Sequence, residues 1–98
     1  MEELLRLKER LSREFRIQRM ILFGSRARGD HLKTSDIDLI VVSEDFRGMH
    51  FLERIRRIAR LWDGELPLEV LPYTPEELEK KSKEIGIVAV ALREGIEI

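Results

Sequence analysis

The sequence of 98 residues contains no cysteine, no asparagine and only one glutamine. Without cysteine the chain can form no disulfide, no cysteine–zinc site and no thiol nucleophile. No apolar run approaches the ~18 residues of a membrane-spanning helix, and the opening segment MEELLRLKER lacks the apolar core of a secretory signal. We therefore expect a cytoplasmic protein without a membrane partner. The abundance of Glu and Arg beside so few amides is typical of thermophile proteins.

An excess of charge of one sign is also absent, because 18 basic residues are balanced by 19 acidic ones and the net charge is −1. A balanced chain has no overall field that would attract long nucleic acid or an anionic membrane. The length permits one compact domain, which we place over residues 1–98, since no repeat, low-complexity run or flexible linker divides the sequence. The function must therefore be read from local motifs.

Helices and strands alternate in the predicted secondary structure. The first helix is marked by apolar residues about one helical turn apart, namely Leu4, Leu7, Leu11 and Phe15. Strands are predicted over 17–23, 36–42 and 66–73. Helical segments are predicted over 25–28, over 51–62, and after Thr74, where the last helix takes in 85–92 and ends at Gly95. The order α-β-(short α)-β-α-β-α predicts an α/β (α+β) fold, a small mixed sheet flanked by helices.

The helix over 51–62 carries four arginines, Arg54, Arg56, Arg57 and Arg60. They could form a nucleic-acid patch, but a solvated charged face opposite the apolar stripe explains them better. We therefore expect all four arginines to face solvent.

Two carboxylates open the second predicted strand. Residues two apart on a strand point to the same face, roughly 7 Å from one another, so Asp36 and Asp38 should project together. Like charges held this close repel each other, and burying them is costly. A divalent cation would compensate, and oxygen ligands suit Mg²⁺ or Mn²⁺. The alternative is a solvated strand end without a ligand.

A second motif, Gly24-Ser25, follows the first predicted strand. Glycine lets the backbone approach a phosphate closely, and the N–H groups and hydroxyl after it can hold phosphate oxygens at a helix start. Arg26 and Arg28 flank Ala27, so at most one of them can face the same phosphate. Arg26 is the candidate for nucleotide contact, with a surface salt bridge as its alternative.

A third acid, Glu69, lies inside the third predicted strand and alternates with Leu68 and Val70, so it should face away from their apolar side. It could instead be an edge-strand charge that discourages aggregation. A phosphate-binding turn followed about ten residues later by Asp-x-Asp is the layout of phosphoryl or nucleotidyl transfer. The turn is not a Walker loop, because no Gly-Lys-Ser/Thr follows the glycine.

These motifs carry a family resemblance. GSRARGD at 24–30 followed by SDIDL at 35–39 resembles the polymerase-beta-like nucleotidyltransferase superfamily, whose pattern is Gly-Ser or Gly-Gly, a spacer and Asp-x-Asp. With LEVLPYTPEEL at 68–78 and the final ALREGIEI, the chain looks like the minimal nucleotidyltransferases, the antitoxins of HEPN toxin–antitoxin pairs. The resemblance covers essentially the whole sequence.

The resemblance implies a fold, an activity and a set of site residues. The fold would be that of the polymerase-beta-like nucleotidyltransferases, and the reaction nucleotidyl transfer from an NTP, ATP above all. Asp36 and Asp38 would hold two Mg²⁺ ions, or Mn²⁺, and Glu69 would hold the metal on the acceptor side and help to deprotonate the acceptor hydroxyl. Gly24 and Ser25 would bind the β- and γ-phosphates. Relatives often have Asp at the third position, which is shorter by one methylene than Glu69.

The resemblance also implies a partner. Larger members of the superfamily use a second domain for the acceptor, which 98 residues leave no room for, so we expect the acceptor on another protein. In the toxin–antitoxin pairs the nucleotidyltransferase transfers AMP to a tyrosine hydroxyl of a helical HEPN-type toxin. The apolar run 85–92 is the expected docking surface, within a hetero-oligomer or a homo-oligomer.

Two rival functions remain. The chain could be a binding subunit that neutralises its partner by occupancy without catalysis, although three converging carboxylates would then have no purpose. It could also transfer a nucleotidyl group to a small-molecule hydroxyl, as antibiotic-modifying relatives do.

Overall fold

The computed structural model describes residues 2–24 and 36–98. Its helices and strands are α1 (Glu2–Glu14), β1 (Ile17–Phe23), β2 (Ile37–Ser43), α2 (Phe51–Ala59), β3 (Leu68–Tyr73), α3 (Pro75–Ser82), α4 (Ile87–Glu94) and β4 (Ile96–Glu97), with a 3-10 helix at Glu44–Phe46. The four strands form one sheet in the order β3-β2-β1-β4. β2 is parallel to β3 and antiparallel to β1, and β1 is antiparallel to β4. The predicted small mixed sheet flanked by helices is confirmed.

The sheet separates two apolar cores because successive residues of a strand point to opposite faces. On one face Leu39 and Val41 pack with the apolar stripe of α1 and with Ile58 of α2. On the other face Ile40 and Val42 pack with residues of α3 and α4. β2 is therefore covered on both sides, which explains why its sequence is an almost continuous apolar run.

Helix α1 follows the predicted stripe. Leu4, Leu7, Leu11 and Phe15 are all buried, the last of them just beyond the end of the helix. Phe15 meets Phe46 edge-to-face, with ring centroids 5.1 Å apart, a geometry that aromatic pairs prefer. The contact joins the end of α1 to the segment after β2.

Of the four arginines predicted to face solvent, Arg56 and Arg60 are exposed, as expected, whereas Arg54 and Arg57 are not. Arg54 is only 5% exposed, and its guanidinium donates to the carbonyls of Met49 and Pro72 and to the carboxylate of Glu77. Arg57 is half-buried against the ring of Phe15 and pairs with Glu14. The prediction was wrong for these two because other elements supply their partners: two carbonyls and a carboxylate for Arg54, and the Glu14 carboxylate for one nitrogen of Arg57, whose Nε is buried without a partner among the described residues. Partners of this kind reduce the cost of burying a charged group.

The chain after β3 forms two helices where one was predicted. Thr74 and Glu77 form a reciprocal capping box at the start of α3, as expected from the Thr-Pro-Glu-Glu sequence. α3 ends at Ser82, and α4 begins after Gly86, whose backbone is extended. Gly95 ends α4 as predicted, but the two-residue strand β4 that follows was not foreseen. Among the described residues, no helix has the length and apolar character needed to cross a membrane.

Candidate active site

One row of the sheet brings together three of the predicted positions. Phe23 lies opposite Asp38 across the β1–β2 pair, and Asp38 lies opposite Glu69 across the β2–β3 pair. Residues opposite each other on neighbouring strands project to the same face, so the side chains of Asp38 and Glu69 stand side by side. Gly24, the next residue after Phe23, lies at the β1 end of this row.

Gly24 leaves room for the Asp38 carboxylate. Its φ is +76°, in the left-handed region that glycine adopts without strain. A Cβ at this position would collide with Oδ2 of Asp38 and would lie 3.4 Å from its Cγ. The glycine of the Gly-Ser motif is therefore needed to leave space for the Asp38 carboxylate, a reason that the sequence alone did not reveal.

The carboxyl group of Asp38 has an altered acidity. Partial burial, a hydrogen bond with the Glu69 side chain, and the negative charges of Glu69 and Asp36 raise the pKa of Asp38 from its ordinary 3.8 to about 6. Burial and like charges both disfavour the ionised form. In the absence of a cation, the Asp38 carboxyl group therefore keeps its proton to a higher pH than an ordinary aspartate does.

Asp36 lies just outside β2, which begins at Ile37, and its side chain is exposed. The negative charge of Asp36 contributes to the raised pKa of Asp38. The regular strand geometry that was expected to align the two side chains, however, does not extend to residue 36. Glu69 is exposed on β3 and faces away from the buried Val70, as its alternation with Leu68 and Val70 predicted. Ser25 and Arg26, the other predicted nucleotide-binding residues, lie outside the described residues.

The donor set of this site suits a hard divalent cation. Its groups are carboxylates, two of them in contact, and Mg²⁺ and Mn²⁺ prefer oxygen ligands. As folded, no three His, Asp or Glu side chains within 2–24 and 36–98 form a group that could hold a metal ion. The carboxylates of Asp36, Asp38 and Glu69 would have to come closer together for all three to share one ion.

A cavity of about 130 Å³ adjoins this row on the β1 side. Its walls are Phe23 from β1 and three residues of α4, namely Ile87, Val90 and Ala91. Gly24, Asp38 and Glu94 complete its lining. Glu94 was not singled out from the sequence: it lies one helical turn beyond Val90, but nothing local indicates that this end of α4 lies beside Gly24.

Comparisons with known proteins bear on the family and the fold of this chain. The sequence profile of the nucleotidyltransferase domain family matches residues 4–92. No protein of curated function matches the chain. Among solved structures, the chain is similar to a 1.40 Å crystal structure of a candidate nucleotidyltransferase from Sulfolobus solfataricus, with 24% sequence identity and a TM-score of 0.64. The similarity covers 97% of this chain and 80% of that one, and at this identity it shows the fold alone.

Proposed function

The chain belongs to the nucleotidyltransferase domain family, and on that premise we propose that it transfers a nucleotidyl group from an NTP to a hydroxyl group with the help of Mg²⁺. In the finer form of the proposal, AMP passes from ATP to a tyrosine hydroxyl of a helical HEPN-type toxin, and the chain is the antitoxin. The observation that carries the proposal is the row in which Asp38 lies between Gly24 on one side and Glu69 on the other.

Asp36, Asp38 and Glu69 are the residues that would hold Mg²⁺, as two ions, with Mn²⁺ as a substitute. Bound there, the metal would neutralise the charge that develops on the phosphates during an in-line displacement. Gly24, with Ser25 and Arg26, would bind the phosphates of the nucleotide. Because the phosphate-binding turn and Glu69 flank Asp38 from opposite sides, the nucleotide and the acceptor would approach Asp38 from opposite sides as well.

The reaction then follows from these positions. The acceptor oxygen forms a bond to the α-phosphorus, the bond between that phosphorus and the bridging oxygen to the β-phosphate breaks, and pyrophosphate leaves. The proton of the acceptor hydroxyl passes to the carboxylate of Glu69. Holding both reactants in line on one rigid sheet contributes much of the acceleration in reactions of this kind.

An apolar surface near the site supports a protein acceptor. Ile85 is fully exposed, Ile87 is 61% exposed and Val90 is 39% exposed, and the last two also line the cavity beside Asp38. We call these three residues the α4 ridge. Exposed apolar residues grouped beside a catalytic site are typical of a surface that a partner covers.

The test uses ATP labelled at the α-phosphate, Mg²⁺ and a HEPN-type helical protein as the candidate partner. We expect label on the partner, none in EDTA, and none with Asp36→Asn/Asp38→Asn. The control Glu65→Gln/Glu84→Gln removes two exposed acids and should transfer normally. The single tyrosine of this chain, Tyr73, is 8% exposed, so labelled tyrosine should come from the partner. Transfer that survives the double Asp substitution would refute the proposal.

The two alternative functions give different results in the same assay. If the chain neutralises its partner by occupancy, the double Asp variant protects cells as well as the wild type does, although no label is transferred. If the acceptor is a small molecule, label appears in a low-molecular-weight product and its formation does not require the partner.

A further inference from the structure

The cavity beside Asp38 has a distinctive chemistry. Among the described residues, its walls are apolar side chains from β1 and α4, and the charged groups that line it are the carboxylates of Asp38 and Glu94. Ionised carboxylates accept hydrogen bonds and cannot donate them. The cavity therefore suits a group with one apolar side and with hydrogen-bond donors directed at the carboxylates.

The size of the cavity limits what it can hold. A volume of about 130 Å³ equals that of roughly four water molecules at ~30 Å³ each, and pockets for drug-sized ligands are several times larger, at ~300–1,000 Å³. The space suits a single small ring and not a whole nucleoside.

The position of the cavity indicates which part of a nucleotide would enter it. Sheet order places Gly24 and the cavity on the β1 side of Asp38, and Glu69 on the β3 side. The cavity is thus on the side assigned to the nucleotide. The carboxylate of Glu94, which pairs with Arg93 at 4.0 Å in an exposed contact, has the same sign of charge as the triphosphate. The phosphates should therefore lie towards the Gly24 turn, and a neutral part of the nucleotide should face Glu94.

We propose that this cavity receives the ribose of the bound nucleotide and that Glu94 accepts a hydrogen bond from one of the ribose hydroxyls, an inference that rests on the proposed function. The ribose is the neutral ring attached to the α-phosphate, and its hydroxyls are donors. Carboxylates bind ribose hydroxyls in the same way in dinucleotide-binding folds. Glu94 is then a specificity residue that selects nucleotides with the contacted ribose hydroxyl over analogues that lack it.

The experiment compares the affinities for ATP, 2′-deoxy-ATP and 3′-deoxy-ATP in Mg²⁺, for the full chain and for Glu94→Ala. The wild type should bind ATP about tenfold more tightly than the analogue that lacks the contacted hydroxyl, which is typical of a lost hydrogen bond to a charged group. Glu94→Ala should weaken ATP binding by a similar factor and leave that analogue unaffected. Glu94 is half-exposed, so the variant should fold, and its melting temperature checks this.

The control is Glu84→Gln, which removes an exposed acid in the turn before α4 and should keep the preference for ATP. Equal binding of all three nucleotides by the wild type would refute the ribose assignment and leave the proposed function standing. A preference for ATP that persists in Glu94→Ala would refute the role of Glu94. If the wild type binds none of the nucleotides, both proposals fail.

Discussion

Gly24 lies so close to Asp38 that residue 24 cannot carry a side chain, because a Cβ there would collide with the Asp38 carboxylate. The glycine of the Gly-Ser motif is usually explained by the close approach of a phosphate. Here it also fixes where the carboxylate of the neighbouring strand can lie. One residue thus shapes both the phosphate-binding turn and the acidic group beside it.

We expect Gly24→Ala to lose activity by about a hundredfold, because a displaced Asp38 misaligns the reacting groups. Gly48→Ala is a matched control: its φ is +80° and a Cβ there would touch nothing within 4 Å. Both substitutions force an L-residue into the left-handed region, at a cost of about 1–2 kcal/mol. Urea unfolding and label transfer separate the two effects. Equal activity in the two variants would contradict the role given to the Gly24–Asp38 contact.

Replacement of Asp38 should separate stability from function. In EDTA, Asp38→Asn removes a charge repelled by Glu69 and Asp36, so we expect unfolding free energy unchanged or higher by up to about 1 kcal/mol. Transfer activity should fall below detection. In the wild type, Mg²⁺ at a hundred times its Kd should add about 2.7 kcal/mol of stability, and Asp38→Asn should not gain it. A variant that is still stabilised by Mg²⁺ would show that the ion binds elsewhere.

The sequence was sufficient to predict several elements because their determinants are local. The bounds of β1 and the stripe of α1 follow from apolar periodicity, and the side of β3 on which Glu69 lies follows from alternation along the strand. The edge position of β3 in the described sheet agrees with the presence of Pro72, which lacks an amide hydrogen. Patterns of this kind depend only on neighbours along the chain.

Other features could not be predicted because they depend on distant elements. Arg54 is buried by a carboxylate 23 residues further along the chain, although its spacing of four residues from Ile58 already placed both on one side of α2. Glu94 reaches the cavity only because α4 packs across the end of β1. The strand β4 has two residues, too few for a periodic signal, and exists because the edge of β1 offers it partners.

Arg54 should be the most costly arginine of α2 to replace. Its guanidinium connects α2 to the carbonyl of Pro72 at 3.1 Å and to Glu77 at 2.6 Å. We expect Arg54→Met to cost about 3 kcal/mol, near the low end for a broken buried pair, because the side chain of Glu77 is 44% exposed and keeps contact with water. Arg56→Met, whose exposed partner is Glu53, should change the unfolding free energy by less than about 0.5 kcal/mol. Urea denaturation measures both, and equal losses would contradict the buried pairing.

The same pair predicts how stability depends on pH. The hydrogen bond from Arg54 lowers the pKa of Glu77 from its ordinary value of 4.5. A lowered folded-state pKa means that the unfolded chain binds the proton more readily, so this stabilisation is complete above the ordinary value and is lost as the pH falls through the folded-state value. Glu77→Gln should therefore flatten the acid limb of a plot of urea midpoint against pH. The control is Glu79→Gln, in the same helix, because Glu79 does not contact Arg54; its acid limb should stay steeper than that of Glu77→Gln. Identical pH profiles for the two variants would contradict the role given to the Arg54–Glu77 pair.

The α4 ridge gives the last prediction, which concerns the partner. Ile85 is fully exposed, so Ile85→Asp removes no contact within this chain and should leave its melting temperature and ATP affinity unchanged. In the proposed complex the same change would bury an unpaired carboxylate, a severe penalty, and we expect partner affinity to fall by at least about a hundredfold. Leu52→Asp is the matched control, because Leu52 on α2 is 59% exposed and lies outside the ridge. If both variants bind the helical partner with wild-type affinity in calorimetry, the partner docks elsewhere, and a loss in Leu52→Asp alone would place it on α2.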